Sequence, residues 1–206
     1  MSLTGWLFAA AYDRLTAATE AAGLGERRAR LLEQARGRVL EIGAGTGTNI
    51  RHYPQAVAAL TLAEPEAPTA RRLRQRVAQA GRPVEVVEAS AEGLPFPDSS
   101  FDTVVSTLVL CTVSDLPKTL AEVRRVLTPG GRLLFLEHVR SDDPKVARWQ
   151  DRLNGLNRIV AHGCNCNRST LASIRSAGFG AIDVKHDEIP KAPAFLRPLI
   201  VGVAAS

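Results

Sequence analysis

The sequence predicts a doubly wound α/β fold, in which a parallel β-sheet is covered by helices on both faces. Five short apolar runs of strand length alternate with segments of helical periodicity, an order typical of parallel sheets. Most of the strands are short apolar runs, as expected of strands buried on both faces. A glycine-rich turn follows the first of them, and 206 residues suffice for one well-buried domain.

The first half of the chain contains three of the predicted strands. Residues 16–34 have helical periodicity, broken around the GLG stretch at 23–25. Buried strands are predicted at 38–42, 60–63 and 84–88. A helix is expected to follow the glycine turn and to end near Pro54, and an amphipathic helix is expected over 68–80.

The second half begins after a proline-rich loop with the sequence GLPFPDSS. Strands are predicted at 101–106 and 132–136, around a helix at 116–126 that the TPGG stretch ends. Beyond Pro144 the pattern predicts helices at 145–160 and 169–177, the second ended by Gly178. Two late strands are predicted at 179–185 and 199–204.

Composition excludes several classes of protein. The net charge is +5, but 22 of the 26 basic residues are arginines scattered along the chain, so no nucleic-acid partner is expected. No apolar stretch approaches the ~20 residues of a membrane helix, so no stable membrane anchor is expected. Three cysteines suit a reducing cytoplasm, and the HGCNC spacing does not suit a closed zinc site. The sequence leaves the oligomeric state open.

The glycine turn, VLEIGAGTGTNI at residues 39–50, indicates an adenosine-bearing cofactor. Glycines let the chain turn sharply and let a ligand approach the backbone. Glu64 ends the next strand, where a carboxylate can accept hydrogen bonds from ribose hydroxyls. Both NAD and S-adenosylmethionine fit these features. The dinucleotide pattern G-x-G-x-x-G would place a glycine at position 48, which is Thr48, so the spacing favours S-adenosylmethionine.

The later motifs are more specific. The LPFPDSSFD loop, the EVRRVLTPGG helix end and the acidic strand end occur in the order typical of class I S-adenosylmethionine-dependent methyltransferases, which the chain resembles over residues 38–139. The TLVLCTV, LEHV, GCNCNRST and LRPLIVGVA stretches resemble most closely the branch that methylates alkyl thiols, with its bacterial relatives. The resemblance implies a Rossmann-like sheet of seven strands, the last antiparallel and inserted beside the fifth.

The resemblance also implies roles for individual residues and segments. Residues 1–37 would form a helical cap, 38–140 the cofactor-binding core, and 141–206 the acceptor side of a single domain. S-adenosylmethionine would contact residues at four strand ends, namely Glu41, Gly43, Gly45, Gly47, Glu64, Pro65, Ser90, Ala91, Glu92, Thr107 and Leu108. His138, after the fifth strand, is the leading candidate for a general base, and His52 is a weaker one.

The expected activity is methyl transfer by in-line displacement to a small molecule, for which positioning matters more than acid–base catalysis. A thiol is the favoured acceptor, because a thiolate needs little help from a base. The alternatives are a lipid, quinone or amine acceptor, or a non-catalytic protein that binds S-adenosylmethionine. Arg168 and the apolar residues Trp6, Phe8 and Leu108 are expected to line the acceptor pocket.

Overall fold

The computed structural model describes residues 18–161 and 163–206. Within these ranges the strands are β1 (Gly37–Ile42), β2 (Val57–Ala63), β3 (Val84–Val87), β4 (Phe101–Thr107), β5 (Leu127–His138), β6 (Ile182–Glu188) and β7 (Pro198–Ala205). The α-helices are α1 (Gly25–Leu32), α2 (Ala67–Val77), α3 (Leu116–Val126), α4 (Pro144–Val160) and α5 (Thr170–Ser176). Short 3₁₀ turns span Ile50–His52 and Ala194–Leu196, and a π-helical turn spans Glu20–Leu24.

The described strands form one seven-stranded sheet in the order β3-β2-β1-β4-β5-β7-β6. Strands β1 to β5 pair in parallel, whereas β7 runs antiparallel to both β5 and β6. The predicted doubly wound sheet, with the seventh strand beside the fifth, is therefore confirmed. Because β1 pairs with β2 on one side and β4 on the other, the strand order reverses at β1, which is where ligands bind in such sheets.

The apolar strand residues divide between two cores, one on each face of the sheet. Val39 and Leu134 belong to the core that α1 and α2 cover, and Leu40 and Phe135 to the core beneath α3. Successive strand residues point to opposite faces, so two adjacent apolar positions supply both cores. This is why apolar residues stand next to each other in these strands, as in VL of β1, VV of β4 and LLFL of β5.

The helix predicted between the glycine turn and Pro54 is wrong. The structure has turns followed by the 3₁₀ turn at Ile50–His52, with hydrogen bonds from Ile50 N to Gly47 O (3.2 Å) and from His52 N to Asn49 O (2.8 Å). Gly47 has a φ of 85°, outside the helical region, and Pro54 closes the segment shortly afterwards. Too few residues remain between them to nucleate an α-helix.

The break predicted in the first helix is confirmed. Gly23 has a φ of 124° inside the π-helical turn, and the regular helix α1 begins only at Gly25. The expected apolar wall residues Trp6 and Phe8 lie outside the described residues. No helix in the described part of the chain is both long and apolar enough to cross a bilayer.

Candidate cofactor and acceptor site

The predicted site residues come together at one edge of the sheet. Parallel strands end at the same edge, so the segments after β1, β2, β4 and β5 lie side by side there. The first three segments carry the glycine turn, Glu64 and the loop that begins at Leu108, and His138 is the last residue of β5. The edge coincides with the reversal of strand order at β1.

The three glycines of the turn have different structural reasons to be glycine. All three have positive φ values, of 57°, 57° and 85° for Gly43, Gly45 and Gly47. A Cβ at Gly43 would lie 2.6 Å from Val109 Cγ2, and one at Gly47 would lie 2.6 Å from Ile50 Cδ1. A Cβ at Gly45 would meet nothing within 4 Å. Packing therefore explains two of the glycines, and only at Gly45 is the backbone open.

Glu64 fastens the open glycine to the end of β2. Its carboxylate accepts hydrogen bonds from Gly45 N (2.9 Å) and from Glu66 N (3.0 Å), one on each oxygen. The residue is only 6% exposed, and burial raises the pKa of its carboxyl while the two amides oppose that rise. A carboxylate has about four acceptor positions, so two remain for hydroxyl donors.

Glu41 lies beneath the turn at the centre of a buried polar network. Asn49 Nδ2 donates to Glu41 Oε1 (2.8 Å) and to Thr107 Oγ1 (2.9 Å), and Tyr53 Oη donates to Glu41 Oε2 (2.7 Å). Arg28 Nη1 donates to Asn49 Oδ1 (3.2 Å). Burial raises the pKa of Glu41 to about 7. The network joins α1, the turn and the end of β4, and three of its members, Arg28, Asn49 and Tyr53, were not predicted.

Three predicted cofactor residues, Ser90, Ala91 and Glu92, follow β3 and form a rim at this edge of the sheet. Ser90 is exposed, and its hydroxyl accepts from Glu92 N (3.2 Å), whereas Ala91 is buried. Glu92 Oε1 accepts from the backbone amides of residues 114 and 115, at 2.6 and 2.9 Å, just before α3. Pro65, after β2, is exposed. Glu92 therefore ties the rim to the loop after β4.

The loop after β4 contains the other two predicted cofactor residues. Thr107 is 8% exposed, and Leu108 has a φ of 61°, an uncommon conformation for a non-glycine residue. Glu137, at the end of β5, accepts from Ser106 Oγ (2.6 Å) and Val109 N (3.1 Å) and so holds this loop. Burial raises the pKa of Glu137 to about 7.

The sequence contained a signal for Glu137 that the prediction missed. The residue ends an apolar strand run, LLFLEH, as Glu41 does in VLEI. A carboxylate in such a place is buried and must find donors, which here come from the neighbouring loop.

His138 is almost completely buried and has one described polar neighbour. Its Nδ1 lies 3.4 Å from Cys164 Sγ, and that sulfur lies 3.6 Å from Cys111 Sγ. The other ring nitrogen, Nε2, has no hydrogen-bond partner among the described residues. The second histidine considered, His52, accepts from Arg51 Nε (3.1 Å) in the 3₁₀ turn, and burial lowers its pKa.

Arg168, which was expected to line the acceptor pocket, and its neighbour Asn167 both form hydrogen bonds within the protein. Arg168 Nη1 donates to Leu110 O (2.7 Å) and to Val113 O (2.8 Å), and Asn167 Nδ2 donates to Asp151 Oδ1 (3.0 Å). Arg168 thus secures the loop after β4, a role that the sequence did not indicate.

Comparison with known proteins identifies the class to which this site belongs. A family model described as a methyltransferase domain matches residues 40–135. The human thiol S-methyltransferase TMT1A is 33% identical over 171 residues, which cover 81% of this chain and 69% of that protein. The chain therefore belongs to the class I S-adenosylmethionine-dependent methyltransferases, and S-adenosylmethionine is its cofactor.

Two further likenesses extend this result. The ubiquinone/menaquinone biosynthesis C-methyltransferase UbiE of Hahella chejuensis is 37% identical over 147 residues, covering 66% of this chain and 59% of that protein. The crystal structure of a possible histamine N-methyltransferase from Thermotoga maritima superposes with a TM-score of 0.72 and 24% identity, covering 96% of each chain, which establishes the shared fold. The enzyme class is thus shown, and the methyl acceptor differs among these relatives.

Proposed function

We propose that this enzyme transfers a methyl group to the sulfur of a small, apolar thiol. One observation supports this acceptor: the likeness to thiol S-methyltransferases extends over a larger share of the chain than the likeness to the quinone enzyme. Bound S-adenosylmethionine supplies an electrophilic methyl group on a sulfonium, whose departure needs no proton. The protein therefore has to hold the cofactor, position the thiol and exclude water.

The residues at the ends of β1 and β2 fit the cofactor. Glu64 keeps two acceptor positions for the ribose hydroxyls while it still accepts from Gly45 N. Gly45 leaves the backbone beside that carboxylate open, so a ligand can approach closely. Gly43 and Gly47 shape the same turn, and Glu41 beneath it stiffens the turn through Asn49 and Tyr53.

The remaining contacts are proposed at the ends of β3 and β4. Ser90, Ala91 and Glu92 would surround the adenine, with exposed Pro65 against its face. Thr107 and Leu108 would border the methionine end, where Glu137 fixes the loop from below.

His138 is proposed to meet the acceptor. Its Nε2 is buried and has no hydrogen-bond partner within the described structure, so nothing there compensates the free energy lost when this nitrogen leaves water. A hydrogen bond with an incoming thiol would supply the missing partner. A thiol has an unperturbed pKa of ~8.5 and reacts as the thiolate, so His138 would orient the acceptor more than it would remove its proton. Segment 141–206 would complete the acceptor side.

A quinone-type carbon acceptor is the second candidate, because of the likeness to UbiE. We further propose a cytoplasmic location and no nucleic-acid partner. Three free cysteines suit a reducing compartment, and two of them lie 3.6 Å apart without being bonded.

The acceptor can be tested with a panel. The full chain would be incubated with methyl-labelled S-adenosylmethionine and with an alkyl thiol, a hydroquinone or an aromatic amine, and the products would be identified by mass spectrometry. We expect a labelled methyl thioether from the thiol. Label found only on the hydroquinone or the amine would refute the thiol and select that alternative.

A further inference from the structure

Three side chains from distant parts of the sequence meet beside the proposed acceptor site. Cys111 lies in the loop after β4, His138 ends β5, and Cys164 lies between α4 and α5. The two sulfur atoms are 3.6 Å apart, and Cys164 Sγ is 3.4 Å from His138 Nδ1. Both thiols are free and buried.

The backbone holds the two cysteines next to each other. Asn165, which follows Cys164, donates from its backbone N (2.9 Å) and from its side-chain Nδ2 (3.2 Å) to the carbonyl oxygen of Cys111. Asn157 Nδ2 donates to Cys164 O (2.8 Å). A disulfide requires sulfur atoms about 2.05 Å apart. Because the two chain segments are already paired, side-chain rotations have to shorten only the 3.6 Å distance between the sulfur atoms.

We propose that Cys111 and Cys164 form a reversible disulfide when the enzyme meets a hydroperoxide, with Cys164 as the attacking sulfur. The Cys164 thiolate attacks the peroxide oxygen, the O–O bond breaks, and the products are Cys164 sulfenic acid and an alkoxide or hydroxide that takes up a proton. The Cys111 sulfur then attacks the sulfenic sulfur, the S–O bond breaks, and water leaves with the Cys111 proton. In total two thiols are oxidised and one peroxide is reduced.

The surroundings assign the two roles. Cys164 is 9% exposed, whereas Cys111 is 1% exposed, so a small peroxide reaches Cys164 more easily. The hydrogen bond that joins the two thiols lowers the pKa of Cys164, and the neighbouring His138 acts in the same direction. The same hydrogen bond, together with burial, raises the pKa of Cys111 well above its usual value. Cys164 is therefore the more nucleophilic thiol, and Cys111 keeps its proton until the second step.

Cys166 is an internal control for the selectivity of the oxidation. This cysteine is only two positions from Cys164, but its sulfur is hydrogen-bonded to Gln150 O and to Asn154 Oδ1, at 3.6 Å each, instead of to another thiol. It is fully buried, and desolvation raises its pKa to about 11. We expect Cys166 to stay reduced under conditions that oxidise its neighbour.

The test is peptide mapping of the folded full chain. Hydrogen peroxide would be added, free thiols would be alkylated, and tryptic peptides would be analysed by mass spectrometry. Because the tryptic peptide 159–168 carries both Cys164 and Cys166, the Cys166→Ser variant is mapped beside the wild type. We expect a link between Cys111 and Cys164 in both proteins, with the loss of two hydrogen atoms, and its disappearance on addition of dithiothreitol.

A second variant tests the order of the steps. In Cys111→Ser, which keeps a hydrogen-bonding group beside Cys164 but removes the second thiol, Cys164 should accumulate as a sulfenic acid that a cyclic diketone probe traps. The absence of a Cys111–Cys164 link in peroxide-treated wild type, or a link that joins Cys166 to either cysteine, would overturn the proposal. Trapping of Cys111 in the Cys164→Ala variant, without trapping of Cys164 in the Cys111→Ser variant, would overturn the assignment of roles. Because peptide mapping requires no methyl acceptor, this result is independent of the proposed substrate.

Discussion

Replacing Glu64 by alanine is expected to weaken cofactor binding while leaving the enzyme folded. The carboxylate accepts from Gly45 N and Glu66 N and keeps two acceptor positions that we assign to the ribose hydroxyls. Truncation removes the acceptors for the ligand and also releases the turn from the end of β2. Both effects act on the cofactor side of the sheet.

The magnitude follows from the charge of the lost acceptor. Hydrogen bonds to charged groups contribute ~1.5–3 kcal/mol, which corresponds to a ~10- to 150-fold increase in Kd. Two effects on stability oppose each other. The amides of Gly45 and Glu66 lose the carboxylate as their hydrogen-bond acceptor. Because both residues are at least partly exposed, water can replace the carboxylate as acceptor. The desolvation that raises the pKa of Glu64 is relieved at the same time.

Calorimetric titration with S-adenosylhomocysteine, the demethylated cofactor, measures the effect. Glu66→Ala is the matched control, because its side chain is exposed and its backbone N–H to Glu64 is kept. We expect the control to bind like the wild type. An unchanged Kd for a folded Glu64→Ala variant would refute the assignment of the ribose to this carboxylate.

Four further outcomes are expected. Gly43→Ala should unfold at a lower urea concentration than Gly45→Ala, because the Cβ added at position 43 meets Val109 whereas the φ of 57° is the same at both positions. Gly45→Ala should weaken cofactor binding more than Gly43→Ala. Burial raises the pKa of Glu137 from 4.5 to about 7, so the stability that its protonated form contributes below pH 4.5 is lost as the pH rises through 7. Glu137→Gln should not show this loss. Between about pH 4 and about pH 8, its free energy of unfolding in urea should therefore rise by about 3 kcal/mol relative to that of the wild type. His138→Ala should lose under ~10-fold in rate on a thiol across pH 6 to 9, whereas an acceptor that needs a base, such as a phenol, should lose ~100-fold or more; a loss of ~100-fold or more on the thiol would contradict the orienting role of His138. Calorimetry should detect no binding of NAD.

The sheet was predictable from sequence because its signal is local. Apolar runs such as VLEI and LTLA, each beside a helical segment, predict buried parallel strands, and the last antiparallel strand followed from the family resemblance. The helix after the glycine turn was predicted wrongly because periodicity does not report backbone angles. Gly47 at a φ of 85° and Pro54 leave room only for a 3₁₀ turn.

The polar contacts of the site were less predictable because they join distant residues. Asn49 reaches Thr107 across 58 positions, and Arg168 reaches Leu110 across the same separation. Neither pair has a periodic pattern. Glu64, in contrast, was predictable, since a carboxylate that ends the second strand has a definite place in this fold. Its hydrogen bond to Gly45 N then emerged from the structure alone.

A crystal structure of the enzyme with bound S-adenosylhomocysteine tests the central claim most directly. We predict ribose hydroxyls within hydrogen-bond distance, about 2.5–3.0 Å, of the Glu64 carboxylate, and the cofactor sulfur between the Gly45 turn and His138. A nucleoside bound elsewhere, with Glu64 still contacted only by Gly45 N and Glu66 N, would contradict the account.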